Sequence, residues 1–193
     1  MARCAGRPCL RGQPVSGVAA FAAWLGASAI VLSDGRRALA LGLAMTALGF
    51  SVLALIDGSP LAAAAVLIGG GVAAVPRLRT GPEGWGVMPP GSTPRLVLAI
   101  GGGLLPLWIA TSVMTGPGAP LRFAALSVLG LMAARILTES EPPAMVTALA
   151  AFALAVAMAS GLADTPPGTA PYVAAAVIAL GVSLMRVPEP NGA

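Results

Sequence analysis

From Gly17 to Ser33 the chain reads GVAAFAAWLGASAIVLS without one charge, and runs of this kind recur along its whole length. A helix rises about 1.5 Å per residue, so about 20 apolar residues cross a hydrocarbon core about 30 Å thick. Seven runs reach or approach that length: 17–33, 39–56, 60–76, 95–114, 120–137, 143–162 and 169–186. They are continuous, with no apolar-out, polar-in alternation, which argues against a strand barrel. The pattern predicts an all-α membrane protein, a polytopic bundle of about seven transmembrane helices, or six if the first is cleaved. Residues 1–16 then form an N-terminal tail, disordered or a mis-assigned start. Residues 17–186 form a single transmembrane domain, and 187–193 a short C-terminal tail.

Charge content supports lipid as the main solvent. Only 9% of the 193 residues are charged, against about 25% in soluble domains. The acids Asp34, Asp57, Glu83, Glu139, Glu141, Asp164 and Glu189 all fall outside the runs or at their edges. Arg122 and Arg135 lie inside the fifth run but near its ends, close enough to snorkel to the interface. Proline punctuates the same segments, because at a first helical turn its missing N–H costs nothing. Ser59–Pro60 and Thr93–Pro94 read as N-cap followed by first turn. Pro106, in contrast, falls well inside a run, after Gly101–Gly103, and predicts a kink there.

All eleven basic residues are arginine. Arg36, Arg37, Arg77, Arg79, Arg95, Arg135 and Arg186 fall on one side of the predicted bundle, and Arg122 alone among the loops of the other. Cytoplasmic loops collect basic residues, so the chain is expected N-out and C-in within a bacterial inner (plasma) membrane. Arg3, Arg7 and Arg11 in the tail run against this. A charged stretch before an apolar run, with ASA at 27–29, also fits a cleaved signal peptide, although retention of the first helix is the favoured reading. After that helix come three hairpins, 39–76, 95–137 and 143–186, with short outer turns DGSP, GPGAP and DTPPGTAP. The cytoplasmic connection at 77–94 carries Trp85, suited to the interface or to a partner.

The glycine triplets at 69–71 and 101–103 pose the sharpest functional question. A phosphate loop needs a following Lys and Ser/Thr at a helix N-terminus, and neither triplet has them. Inside lipid, small residues serve close helix packing, which is the reading adopted here. Proton or cation transport would use an ionisable side chain at mid-depth, where the sequence has none. Thr46, Ser51, Thr111, Ser112, Thr147, Ser160 and Ser183 are hydroxyls expected to bond back to helix carbonyls. Intramembrane proteolysis calls for a Ser/His pair, paired aspartates or zinc ligands, and histidine is absent. Cys4 and Cys9 are spaced C-x4-C with no histidine to complete a zinc set. Glu139 and Glu141 read as a helix exit, Glu139 pairing with Arg135 at i,i+4. Trp24 and Trp108 are expected as packing anchors and Tyr172 as an interfacial belt residue.

In topology, residues 17–76 are similar to the three-helix small subunits of respiratory complex I and of Mrp-type antiporters. They lack the buried glutamates of those subunits, so no family is assigned. No catalytic, cofactor-binding or metal-ligating residue is expected, nor an enzyme. The expected partners are the lipid bilayer and other membrane subunits, not nucleic acid. The resulting expectation is a non-catalytic structural or accessory subunit of a membrane complex. The alternative is a carrier or channel for an uncharged or amphiphilic small solute.

Overall fold

The computed structural model describes residues 13–79, 118–138, 141–163 and 168–185, with Trp85, Thr93, Val97, Ile100, Gly101 and Leu104. Six helices are bounded there: α1 Gln13–Leu32, α2 Arg36–Ile56, α3 Pro60–Arg77, α4 Ala119–Thr138, α5 Pro142–Ser160 and α6 Ala170–Leu184. Five of them, α1 to α5, are long and apolar enough to cross a membrane. The sixth is apolar but has 15 residues, about 22 Å of rise. The fourth predicted run, 95–114, with its Pro106 kink and Trp108, Thr111 and Ser112, lies outside the described residues except at Val97, Ile100, Gly101 and Leu104. Those four are helical and exposed. The count of seven spans is therefore not established. The first helix starts at Gln13 rather than at 17, because Pro14 is tolerated in a first turn and the apolar character extends upstream through Val15.

The helices form two layers of three. In each layer sequence neighbours pack side by side, α1–α2–α3 and α4–α5–α6, and the layers meet with α1 on α4, α2 on α5 and α3 on α6. The interior is built largely of alanine, with Ala23, Ala27, Ala47, Ala62, Ala148 and Ala155 fully buried beside Leu39, Phe50, Val66 and Leu154. Alanine has the best helix propensity, and its small side chain lets the helix backbones come close. Large apolar residues such as Leu61, Ile68, Val72 and Val177 point outward, as expected when the surroundings are lipid.

Between α1 and α2 the two backbones approach closely. A methyl on Gly26 would sit 2.6 Å from the Gly42 carbonyl and from Thr46 Oγ1, and a methyl on Gly42 would sit 2.7 Å from the Gly26 carbonyl. About two turns further on, Gly49 meets Ala19 and Ala23 backbone in the same way. Gly26, Gly42 and Gly49 thus form a backbone-to-backbone seam. Thr46 sits within it, donating to the Gly42 carbonyl at 2.9 Å, with the Ala23 carbonyl of α1 at 3.4 Å.

The triplet at 69–71 divides its work. Gly69 faces Ala176 of α6, where an added methyl would come within 2.6 Å, and Gly70 faces Ala47 of α2 and Leu154 of α5. Among the described residues nothing stands within 4 Å of a methyl placed on Gly71, or on Gly101 of the second triplet; Gly102 and Gly103 lie outside the described residues. Gly69 and Gly70 serve packing, and Gly71 and Gly101 meet no described neighbour.

Candidate functional site

The two ends of the array differ in chemistry. At one end α1, α3, α4 and α6 all finish, and there two arginines are buried. Arg135, 1% exposed, is not the snorkelling side chain that the sequence suggested. It donates from Nη1 to the Val31 carbonyl at 3.1 Å and from Nη2 to the Ser33 carbonyl at 3.2 Å, and it pairs with the Asp34 carboxylate. The last carbonyls of a helix have no intrahelical partner, and a cation is favourable at that negative end of the dipole. Arg135 of α4 therefore closes the C-terminus of α1. Arg77, 2% exposed, does the corresponding work on the opposite edge, donating from Nη2 to the Ser183 carbonyl near the end of α6 at 3.2 Å. Asp34 is an acid that pairs with Arg135; Glu139, the partner expected from the sequence, lies outside the described residues.

At the other end is a cavity of about 520 Å³, enclosed by helix termini. It is lined by Asp57 after α2, by Gly58 to Leu61 at the start of α3, and by Gly118, Leu121 and Arg122 at the start of α4. Gly161 and Leu162 after α5, with Gly168, Thr169 and Tyr172 at the start of α6, complete it. Three of these residues, Gly58, Gly118 and Gly168, have positive φ of 81°, 86° and 65°, the left-handed region that glycine enters without strain. Gly58 shows why. It follows the Asp57 cap, its N–H bonds the Leu55 carbonyl at 3.1 Å, and the Ser59 N–H bonds the Ala54 carbonyl at 2.9 Å. That pair of bonds is a Schellman ending, after which Pro60 opens α3 at once. Gly118 and Gly168 stand one and two residues before α4 and α6.

Tyr172 is buried in the cavity wall instead of forming an interfacial belt, with its hydroxyl 2.5 Å from where a Cβ on Gly161 would be. A glycine at 161 makes room for it. Asp57 is exposed overall, yet burial among the surrounding helix ends holds its carboxyl above the usual carboxylate value. The cavity thus gathers a carboxylate, a guanidinium and a phenol at one end of an otherwise apolar array. Sequence reasoning read the acid, the arginine and the tyrosine separately. The signal joining them was the glycine set two or three residues ahead of a proline in DGSP, GPGAP and GTAP.

Of the hydroxyls expected to bond back to helix carbonyls, Thr46, Thr147 and Ser160 do so, to Gly42 at 2.9 Å, Pro143 at 2.7 Å and Ala157 at 2.6 Å. Buried Ser183 Oγ has no hydrogen-bond partner among the described residues, and Thr111 and Ser112 lie outside them. Trp24 packs against the core, its ring 5.3 Å from that of Phe21. No group of three or more metal-ligating side chains occurs among the described residues. Cys4, Cys9 and the N-terminal tail lie outside them. The class this defines is a membrane-embedded, multi-pass helical protein. Comparison with family models, curated proteins and solved structures finds no match.

Proposed function

We propose that this protein is a non-catalytic structural or accessory subunit of a larger membrane assembly. In this reading it sits in a bacterial inner (plasma) membrane with about seven spans, N-terminus outside and C-terminus inside. The observation that carries it is how the described interior is used. Alanine and glycine bring helix backbones into contact, and the two buried guanidinium groups cap helix ends. Ionisable groups at mid-depth are not among the described residues, where the polar side chains inside the layers are hydroxyls and the indole of Trp24. A subunit so built contributes shape and surface. The orientation is supported by Arg36, Arg37, Arg77, Arg79 and Arg135, which all belong to one end of the array, with Arg122 at the other.

Purification of the tagged chain from its native membrane in a mild detergent tests this. Stoichiometric membrane partners are expected; a chain that elutes alone at every detergent concentration overturns the reading. The cavity of Asp57, Arg122 and Tyr172 favours the second reading, a carrier for an uncharged or amphiphilic solute. In that case the purified chain alone accelerates solute entry into liposomes, and Tyr172→Phe slows it.

A further inference from the structure

At the arginine-rich end, on the outer surface of α2 and α3, lies a groove of about 440 Å³. Its floor is small: Ala40 and Ala74 are buried and Ala44 half-buried. Its walls are bulky and about half exposed, formed by Leu41, Val75 and Leu78, with Trp85 from the connection that follows α3. Among the described lining residues one ionises, Arg37, in the first turn of α2. Its guanidinium is exposed, with no hydrogen bond or ion pair to any described residue.

We infer that this groove binds an anionic phospholipid, with an acyl chain lying on Ala40, Ala44 and Ala74 and the headgroup phosphate held by Arg37. Three features of the groove specify that occupant. The walls belong to two membrane-spanning helices, so lipid tails are the molecules already beside them. The volume lies within the range of about 300–1,000 Å³ usual for small-molecule sites, and the lining is apolar apart from one cation. Charge is complementary, because Arg79 and Arg37 flank this end and no acid is among the described residues that line the groove; basic pockets between spanning helices recruit anionic headgroups. Trp85 sits where indoles favour the headgroup level. The inference rests on the membrane-spanning reading of α2 and α3 and is independent of whether the protein is a subunit or a carrier.

The test uses the full chain in phosphatidylcholine nanodiscs, doped with phosphatidylglycerol or phosphatidylcholine brominated on the acyl chain. Bromine quenches a nearby indole, and the difference between wild type and Trp85→Phe isolates the Trp85 emission. One arginine near an anionic headgroup is worth about fivefold in binding. Half-quenching by brominated phosphatidylglycerol is therefore expected at about one-fifth the mole fraction needed with brominated phosphatidylcholine. Arg37→Gln should bring that ratio to about one, whereas Arg122→Gln, at the opposite end, should leave it at about five. Ala44→Leu, which fills the floor, should weaken quenching by both lipids. Equal quenching by the two lipids in wild type overturns the inference, as does a preference that survives Arg37→Gln or quenching indifferent to Ala44→Leu.

Discussion

Arg135 donates to the Val31 carbonyl at 3.1 Å across 104 positions of sequence, so one side chain from the second layer finishes a helix of the first. Its fork also holds the Ser33 carbonyl and the Asp34 carboxylate. Removing it takes a donor from two carbonyls at the end of α1 and from the Asp34 carboxylate, which is 20% exposed. Breaking a buried pair by deleting one partner costs about 3–5 kcal/mol. Arg135→Met is expected to lose about that much in reversible unfolding in detergent. Asp34→Asn should lose less, since both backbone acceptors remain served. Equal stability of Arg135→Met and wild type would contradict the capping role.

Gly42→Leu and Gly70→Leu should each destabilise the bundle, whereas Gly71→Leu should be close to neutral. Overpacking a filled site costs about 1–3 kcal/mol or more; at Gly42 the obstacles are the Gly26 carbonyl and Ile30, and at Gly70 they are Ala47 and Leu154. Gly71 has no described neighbour within 4 Å. Thermal unfolding of the three variants in one detergent reads the ranking. Loss at Gly71 as large as at Gly70 would refute the assignment of faces.

Asp57 predicts a pH dependence of definite sign. Burial raises its carboxyl above the ordinary 3.8, so the folded protein holds this proton more tightly than the unfolded chain. The stabilisation from Asp57 is full below the unfolded value and is lost as pH rises through the higher folded one. Asp57→Asn should remove that step and be at least as stable as wild type at neutral pH. Unfolding midpoints across the acidic range, compared between the two, check it; an identical pH profile would argue against burial of this carboxyl.

Topology is read with single cysteines in a background where Cys4 and Cys9 are serine. Arg79→Cys should resist an impermeant maleimide added to intact cells, and Ser59→Cys should label. The opposite pattern would invert the proposed orientation.

Reconstituted alone with an internal pH dye, the protein should dissipate an imposed proton gradient no faster than empty liposomes. A proton relay needs a group that binds and releases a proton at depth, and arginine keeps its proton at any working pH. The buried charges among the described residues are Arg77 and Arg135. Flux that scales with protein content would count against the accessory-subunit proposal.

The membrane class was legible because length and hydropathy act locally, and bounds such as Pro60–Arg77 fall within a residue or so of the predicted run. The pairing of Arg135 with Asp34 was not, because it exists only once α1 and α4 are neighbours. Within its own run Arg135 looks like any arginine near a helix end. The glycine triplet was half legible. Successive helical residues point about 100° apart, so three in a row must face three directions, and which of them meets a helix depends on where the others stand. Tyr172 was misread for a similar reason. A tyrosine near a helix start suits lipid headgroups equally well, and only Gly161 opposite shows that it turns inward.

The two arginine caps tie the layers together at one end only, α4 to α1 along one edge and α6 to α3 along the other. Mechanically the array resembles a clothes-peg, with its spring at the arginines and its jaws at Asp57 and Tyr172. Thermal breathing should therefore be graded along the helices. Amide exchange is expected to be slowest beside Val31 and Ser183 and fastest around the three left-handed glycines, where parting the layers severs no charged bond among the described residues.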